Sequence, residues 1–473
     1  MSDKNATPSP GSTTPGQQQP VQLSASPGSN VHLSPSASSS SSSNNHKRHS
    51  SVVEMLSTPP PLNERRMSTA SRDSDDSSTS SVSRDWQQVP LNELVEREKL
   101  IFVDADTSVE KAFEILEKRH LTSLPIRYPN ENRQPPAERS STLQSMGVGS
   151  VQVDGVSHTF DYADLCSYLL LVLGHIEPIN QSDDVKEQIA LARQGKEVPV
   201  RFVTQLGTTE PFITVPSSAT LLTAAEILGN GVHRIAITDS RDGTELEGML
   251  SQRRLIRYIW ENGRMFKSLE PLFQTSLKEL GVGSTNVITI NGDELVIDAL
   301  QKMHGEGVSS LAVVDSNNML LGNISIVDVR LLTKSSQSSL LKNTCKQFLT
   351  VILSNRGLAD GKDSFPIFHV TAESTLGRTI AKLVATNAHR LWIVQPPKEG
   401  QSFMGGVGGV LTGVVSLTDI IYLLAKRAGK DSLDPYSARR NRRRSSSSSV
   451  RPSVEMLRRN SSHHDRRGSL ERK

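Results

Sequence analysis

The chain has 473 residues and a net charge of +3, from 53 Lys and Arg against 50 Asp and Glu, which leaves room for two or three ordinary domains. Its only cysteines, Cys166 and Cys345, lie far apart, which argues against a disulfide framework and fits a reducing compartment. The longest apolar run, inside LCSYLLLVLGHI, is too short to span a bilayer; it predicts a core helix in a soluble intracellular protein with no membrane partner.

Residues 1–84 are dominated by Ser, Thr, Pro, Gln and Asn, with a serine run from Ser38 to Ser43 and little apolar surface to bury. Ordering entropy wins in such a segment, so a disordered arm is predicted. Its start, MSDKNATPSP, lacks the apolar stretch of a secretory signal. KRHSS around Ser50 and ERRMS ending at Ser68 place basic residues two and three positions before a serine, a pattern that suits basophilic kinases. Thr7, Ser9, Thr14, Ser26, Ser34 and Thr58 each precede proline and suit proline-directed kinases.

From about residue 86 to 428 the chain repeats one unit four times, over 86–176, 205–262, 282–334 and 362–428. Each begins with apolar residues spaced i, i+3, i+4, i+7, the signature of a helix with one buried face. The quartets are Val109, Ala112, Phe113 and Leu116, then Leu221, Ala224, Ala225 and Leu228, then Val296, Ala299, Leu300 and Met303, then Leu376, Thr379, Ile380 and Leu383. A β-rich run follows each quartet: LPIR at 124, RIAIT at 234, LAVVD at 311 and LWIVQ at 391. A second strand then enters another helix, in TFDYADLCSYLL, GMLSQRRLIRYI, GNISIVDVRLL and GVVSLTDIIYLL. Insertions interrupt the first unit after Arg127 and the fourth after Gln395; the MGGVGGV at 404–410 lacks the Walker Lys-Ser/Thr and reads as a hairpin loop.

The segment 435–473 is again read as disordered. From Ser437 onward it holds twelve Lys and Arg against three Asp and Glu, so the tail carries +9 and the rest of the chain −6. Such an arm suits nucleic acid, an anionic surface, an acidic partner or the chain's own body. MLRRNS ending at Ser461 and RRGS ending at Ser469 are further basophilic sites, and SVEML at 453–457 echoes SVVEML at 51–56.

Gly248, Gly322 and Gly413 are followed three positions on by Ser251, Ser325 and Ser416, and six on by Arg254, Asp328 and Asp419; the first unit holds His158, Asp161 and Asp164 there. With the strand and helix order, this G-h-h-[ST]-x-x-D frame resembles the cystathionine-β-synthase (CBS) domain. Four copies imply an α/β (α+β) fold of four CBS repeats in two tandem pairs, or Bateman modules, flanked by disordered arms. In that family the cleft between paired sheets often holds an adenine nucleotide. The chain also resembles the γ subunit of AMP-activated protein kinase, through Arg254 in the second repeat and the pairs His233-Arg234 and His389-Arg390 at two strand starts.

The chemistry of these residues fits such a ligand. Asp328 and Asp419 can accept both ribose hydroxyls, Ser325 and Ser416 stand at helix N-termini, and Arg234 and Arg390 can grip phosphate with His233 and His389 beside them. Ser-x-x-Asp before an apolar run is equally a helix capping box that needs no ligand. In the first repeat Asp161 would repel phosphate, and in the second Arg254 cannot accept ribose hydroxyls and is expected to fill or brace its cleft.

No HExxH, GxSxG, Walker A or Cys/His cluster is present, so no enzyme, no required cofactor and no metal are expected, with AMP, ADP or ATP as regulatory ligands. The long Ser-rich arms and the two insertions resemble the fungal CBS-repeat regulators of cell separation and DNA replication. That resemblance implies inhibition of type 2A-like phosphatase catalytic subunits in nutrient signalling, in cytoplasm and nucleus, with regulatory kinases as further partners and nucleic acid not expected. The other implied role is a nucleotide-sensing, γ-like subunit of an AMP-activated-type kinase.

Overall fold

All four apolar quartets fold as helices, and each helix connects two parallel strands before an antiparallel hairpin. This computed structural model describes residues 58–60, 84–128, 153, 155–179, 182–206, 210–239, 245–333, 335–360, 369–395, 409–438, 440 and 450–452. Repeat one runs β1 (Val103–Asp104), α1 (Val109–Lys118), β2 (Ser123–Arg127), β3 (Val156–Asp161) and α2 (Tyr162–Val172). A short β4 (Ile176–Pro178) and helices α3 (Asp183–Arg193) and α4 (Val200–Val203) lead to repeat two. That repeat comprises β5 (Thr214–Pro216), α5 (Leu221–Gly229), β6 (Arg234–Thr238), β7 (Leu246–Ser251) and α6 (Gln252–Glu261). After α7 (Glu270–Gln274) and α8 (Leu277–Leu280), repeat three has β8 (Thr289–Asn291), α9 (Val296–Glu306), β9 (Ser310–Val314) and β10 (Leu320–Ser325). Helix α10 (Cys345–Asp360) precedes β11 (His369–Val370), α11 (Leu376–Thr386), β12 (Arg390–Gln395), β13 (Val410–Ser416) and α12 (Leu417–Arg427) of repeat four, and β14 (Val450–Pro452) closes the described chain.

Each repeat builds one three-stranded sheet in the same way. In repeat two, β5 pairs parallel with β6 and β6 antiparallel with β7, Arg234 standing opposite Ser251; in repeat four, Arg390 stands opposite Ser416. The sheets then pair in tandem. Val156, Phe212, Ala236 and Leu246 join the sheets of repeats one and two, and Ala312, Leu320, Trp392 and Leu411 join those of three and four. The helical layers pack the other way. Leu116, Leu170, Val296, Met303 and Val329 share one core between repeats one and three, while Leu228, Ile256, Ile380, Ile420 and Leu424 share another between repeats two and four.

One expectation changes. After β10 the third repeat forms a six-residue 3-10 helix, Ile326–Leu331, rather than a full α-helix; the chain then turns into a second 3-10 segment, Ser335–Lys342. Each terminal segment also has a described contact with the body: Pro59 accepts a hydrogen bond at its carbonyl from Arg264 Nε, 2.9 Å away, and β14 adds to β4 and so satisfies backbone groups that water would otherwise hold. Ser50, Ser68, Ser461, Ser469, the two SV-EML echoes and the insertion 130–148 lie outside the described residues, as do 398–408 of the second insertion. No helix of the described residues is long and apolar enough to cross a membrane, and the run singled out for that question is α2, packed in the core.

Candidate functional site

The end of each quartet helix turns through a left-handed residue: His120, Gly231, Gly307 and Asn387 have φ of 51°, 89°, 58° and 52°. Glycine adopts this conformation without steric cost and asparagine with little, so the chain can reverse sharply there. The next strand therefore starts three residues later in every repeat, with Thr122-Ser123, His233-Arg234, Ser309-Ser310 and His389-Arg390 in register.

The two arginines reach across to the small hydroxyl pair of the neighbouring repeat. Arg234 Nη2 donates to the Thr122 carbonyl at 3.4 Å, and Arg390 donates to Ser309 Oγ at 2.7 Å and the Ser310 carbonyl at 3.4 Å. Arg234 also forms an ion pair with Asp161 at 2.9 Å. Burial disfavours the guanidinium charge, but Asp161 and Glu210 outweigh it and raise its pKa. Asp161, expected only to repel phosphate, thus neutralises one arginine of the site. Its neighbour Asp164 caps α2 by accepting from the Asp161 amide at 2.8 Å, and burial beside Asp161 raises its pKa well above the usual carboxylate value.

The histidines play different parts. His233 Nδ1 contacts Glu210, whereas His389 Nε2 accepts from Arg253 Nη2. Burial, then Arg253, His233, Arg234 and Arg390, hold His389 well below the ordinary imidazole pKa, so its ring is neutral at pH 7. Arg253 is itself pushed down to about 10 by burial and by the nearby charges of Arg257 and Arg234. Its buried Nε meets no hydrogen-bond partner among the described residues.

The sequence frame drew attention to Arg254 rather than Arg253. Arg254 Nε donates to the Leu94 carbonyl at 3.3 Å and lies 3.7 Å from Glu96, so it braces the segment that leads into β1 and is not part of the cleft lining. One register step along α6 decides which arginine points inward, and the Ser-x-x-Arg frame alone does not reveal it.

The capping boxes form as expected of the ligand-free alternative. Asp328 accepts from the Ser325 amide at 2.8 Å, and Asp419 from the Ser416 amide at 2.8 Å and its hydroxyl at 2.6 Å. All three contacts use Oδ2, which leaves Oδ1 outside the cap. At Asp419, capping through Oδ2 is therefore compatible with ligand binding through the other oxygen.

All four repeats meet around a cleft of about 870 Å³. Its lining brings together His233, Arg234, His389, Arg390, Ser325 and Asp328 of the sequence reading and adds Arg253 and Arg330. Ser416 and Asp419 face a separate recess of about 110 Å³, with His233, His389 and Arg390 between the two. Small-molecule sites usually measure about 300–1,000 Å³, so the cleft has room for a nucleotide.

A sequence model of the CBS domain family matches residues 92–135, 203–261 and 277–333. Protein SDS23 of Yarrowia lipolytica is 52% identical over 399 residues, 80% of this chain and 75% of that protein. Protein SDS24 of Saccharomyces cerevisiae is 46% identical over 331 residues, 68% of this chain and 58% of that protein. Among solved structures, protein MJ1225 of Methanocaldococcus jannaschii superposes with a TM-score of 0.48 at 15% identity, covering 71% of this chain and all of that one.

Proposed function

The chain belongs to the SDS23 family of CBS-repeat regulatory proteins, and from that premise we propose that its four-repeat body is a non-catalytic regulator that binds an adenine nucleotide, AMP, ADP or ATP, in the cleft where the repeats meet. The observation that carries this reading is Arg253, a guanidinium with its charge disfavoured by burial and by two other arginines and with its Nε unpartnered among the described residues. An anion there relieves both conditions, and Arg390 and Arg330 line the same cleft. Ser325 and Asp328 supply a hydroxyl and a carboxylate at the start of the 3-10 turn, suited to ribose.

Calorimetry on the full chain with AMP, ADP, ATP and adenosine tests the site. Phosphate-bearing ligands should bind and adenosine should bind more weakly. Failure of all four ligands to bind would leave the Ser-x-x-Asp frames as helix caps alone.

We further propose, on family resemblance, that the regulated partner is a type 2A-like phosphatase catalytic subunit, in cytoplasm and nucleus. In a reconstituted assay the purified chain should reduce phosphatase activity. Full phosphatase activity, together with stable assembly with kinase α and β subunits, would favour a γ-like role instead.

A further inference from the structure

β4 belongs to none of the four repeat sheets; its partner is β14, paired antiparallel with Val450 opposite Pro178, Arg451 opposite Glu177 and Pro452 opposite Ile176. One face of β4 is covered, with Ile176 and Pro178 buried and the strand packed against α2. Leu173 and Ile179, on either side of it, are 41% and 48% exposed and are among the few large apolar side chains in the described chain that face solvent. A strand held on one face, with apolar flanks and an edge covered by only three residues, is a template for an added strand.

We propose that β4 is a strand-addition site for an extended basic peptide, with the chain's own C-terminal tail as its resident strand. Charge supports this occupant. The tail carries +9 and the remainder −6, and the register sets Arg451 against Glu177. Oppositely charged residues directly across an antiparallel pair favour pairing by about 0.2–1 kcal/mol, and like charges oppose it. The docking is also weak by construction. It spans three residue pairs, and because Pro178 and Pro452 have no N–H they stand at the non-hydrogen-bonded pairs, which leaves the exchange of bonds to Glu177 and Arg451.

A weak strand tied to a strongly charged tail is easily released. The serine run Ser445–Ser449 directly precedes β14, and each phosphate placed there adds about −1.5 to −2 charges next to a strand that faces Glu177. Phosphorylation should thus detach the tail and open the β4 edge to another strand. The inference does not depend on nucleotide binding.

Hydrogen exchange on the full chain, followed in a peptide covering 173–179, tests it. Deleting residues 441–473 should speed exchange at Glu177, the residue whose N–H faces β14, at least tenfold, and adding a synthetic peptide of residues 446–460 should slow it again. In the full chain Glu177→Lys should release the tail, and adding Arg451→Glu should restore protection. Unchanged exchange on deletion overturns the proposal. So does restoration by a peptide of residues 46–60 but not by 446–460, which would assign the edge to the other arm.

Discussion

Two adjacent arginines, Arg253 and Arg254, separate the binding and bracing roles at the scale of single residues. Arg253→Ala removes a charge-assisted donor from the cleft, an interaction worth about 1.5–3 kcal/mol, so nucleotide affinity should fall roughly tenfold to a hundredfold with adenosine affected much less. Arg254→Ala loses the contacts to Leu94 and Glu96, and should lower stability while leaving calorimetric affinity within about twofold. Equal loss of affinity in both variants would place the ligand elsewhere. His389 supplies a second prediction. Its folded pKa lies well below the ordinary value of 6.5, so the unfolded chain binds more protons as pH drops through that value. The stability it contributes is present above about pH 6.5 and is lost on acidification; His158 and His304, also lowered by burial, act in the same direction. The melting temperature should therefore decline from pH 7.5 to 5.5, and His389→Gln should flatten that slope; a slope unchanged by the substitution would refute the assignment.

Among the elements, the contact between α5 and α12 sets how closely repeats two and four approach. A Cβ on Gly229 would stand 3.2 Å from the Tyr422 Cα and amide nitrogen and 3.3 Å from the Ile421 carbonyl carbon, all backbone atoms that cannot rotate aside. Gln252 ties the same junction, its Nε2 donating at 3.0 Å to the carbonyls of Leu228 and Val232 and to Thr418 Oγ1. Gly229→Ala should thus destabilise by about 1–3 kcal/mol through overpacking. Gly305 in α9 has no atom near the Cβ position, and Gly305→Ala should stabilise by about 0.4–1 kcal/mol by restricting the unfolded chain. Denaturant midpoints that move together in both variants would contradict this account. The quartet helices and the strand starts were legible in the sequence because each rests on a local period. The inward turn of Arg253, the 3-10 geometry after Ser325 and the strand at Val450 were not, because each depends on a neighbour far along the chain.

For the whole molecule, the sequence showed four like units but not which of them share a core, since every quartet carries the same apolar pattern. The structure resolves this in two directions at once. Tandem neighbours meet through their sheets, while repeats one and three, and two and four, bury their helices together. Neither tandem pair thus owns a complete core: separating them would expose Leu228, Ile256 and Ile259 on one side and Leu376, Ile420 and Leu424 on the other. Burial of a single such side chain contributes about 1.5–3 kcal/mol, so the shared cores far exceed the few kcal/mol that would let one pair open alone. The described body should therefore unfold in one cooperative step. Trp260 reports on the core between repeats two and four, and Trp392 on the sheet contact between three and four. Two variants, each retaining one of these tryptophans with the other two replaced by Phe, should give the same urea midpoint once corrected to a common stability by circular dichroism. Two distinct transitions, with Trp392 surviving past the loss of Trp260, would show that the second tandem pair holds its fold alone and that the shared helical cores are not what unites the four repeats.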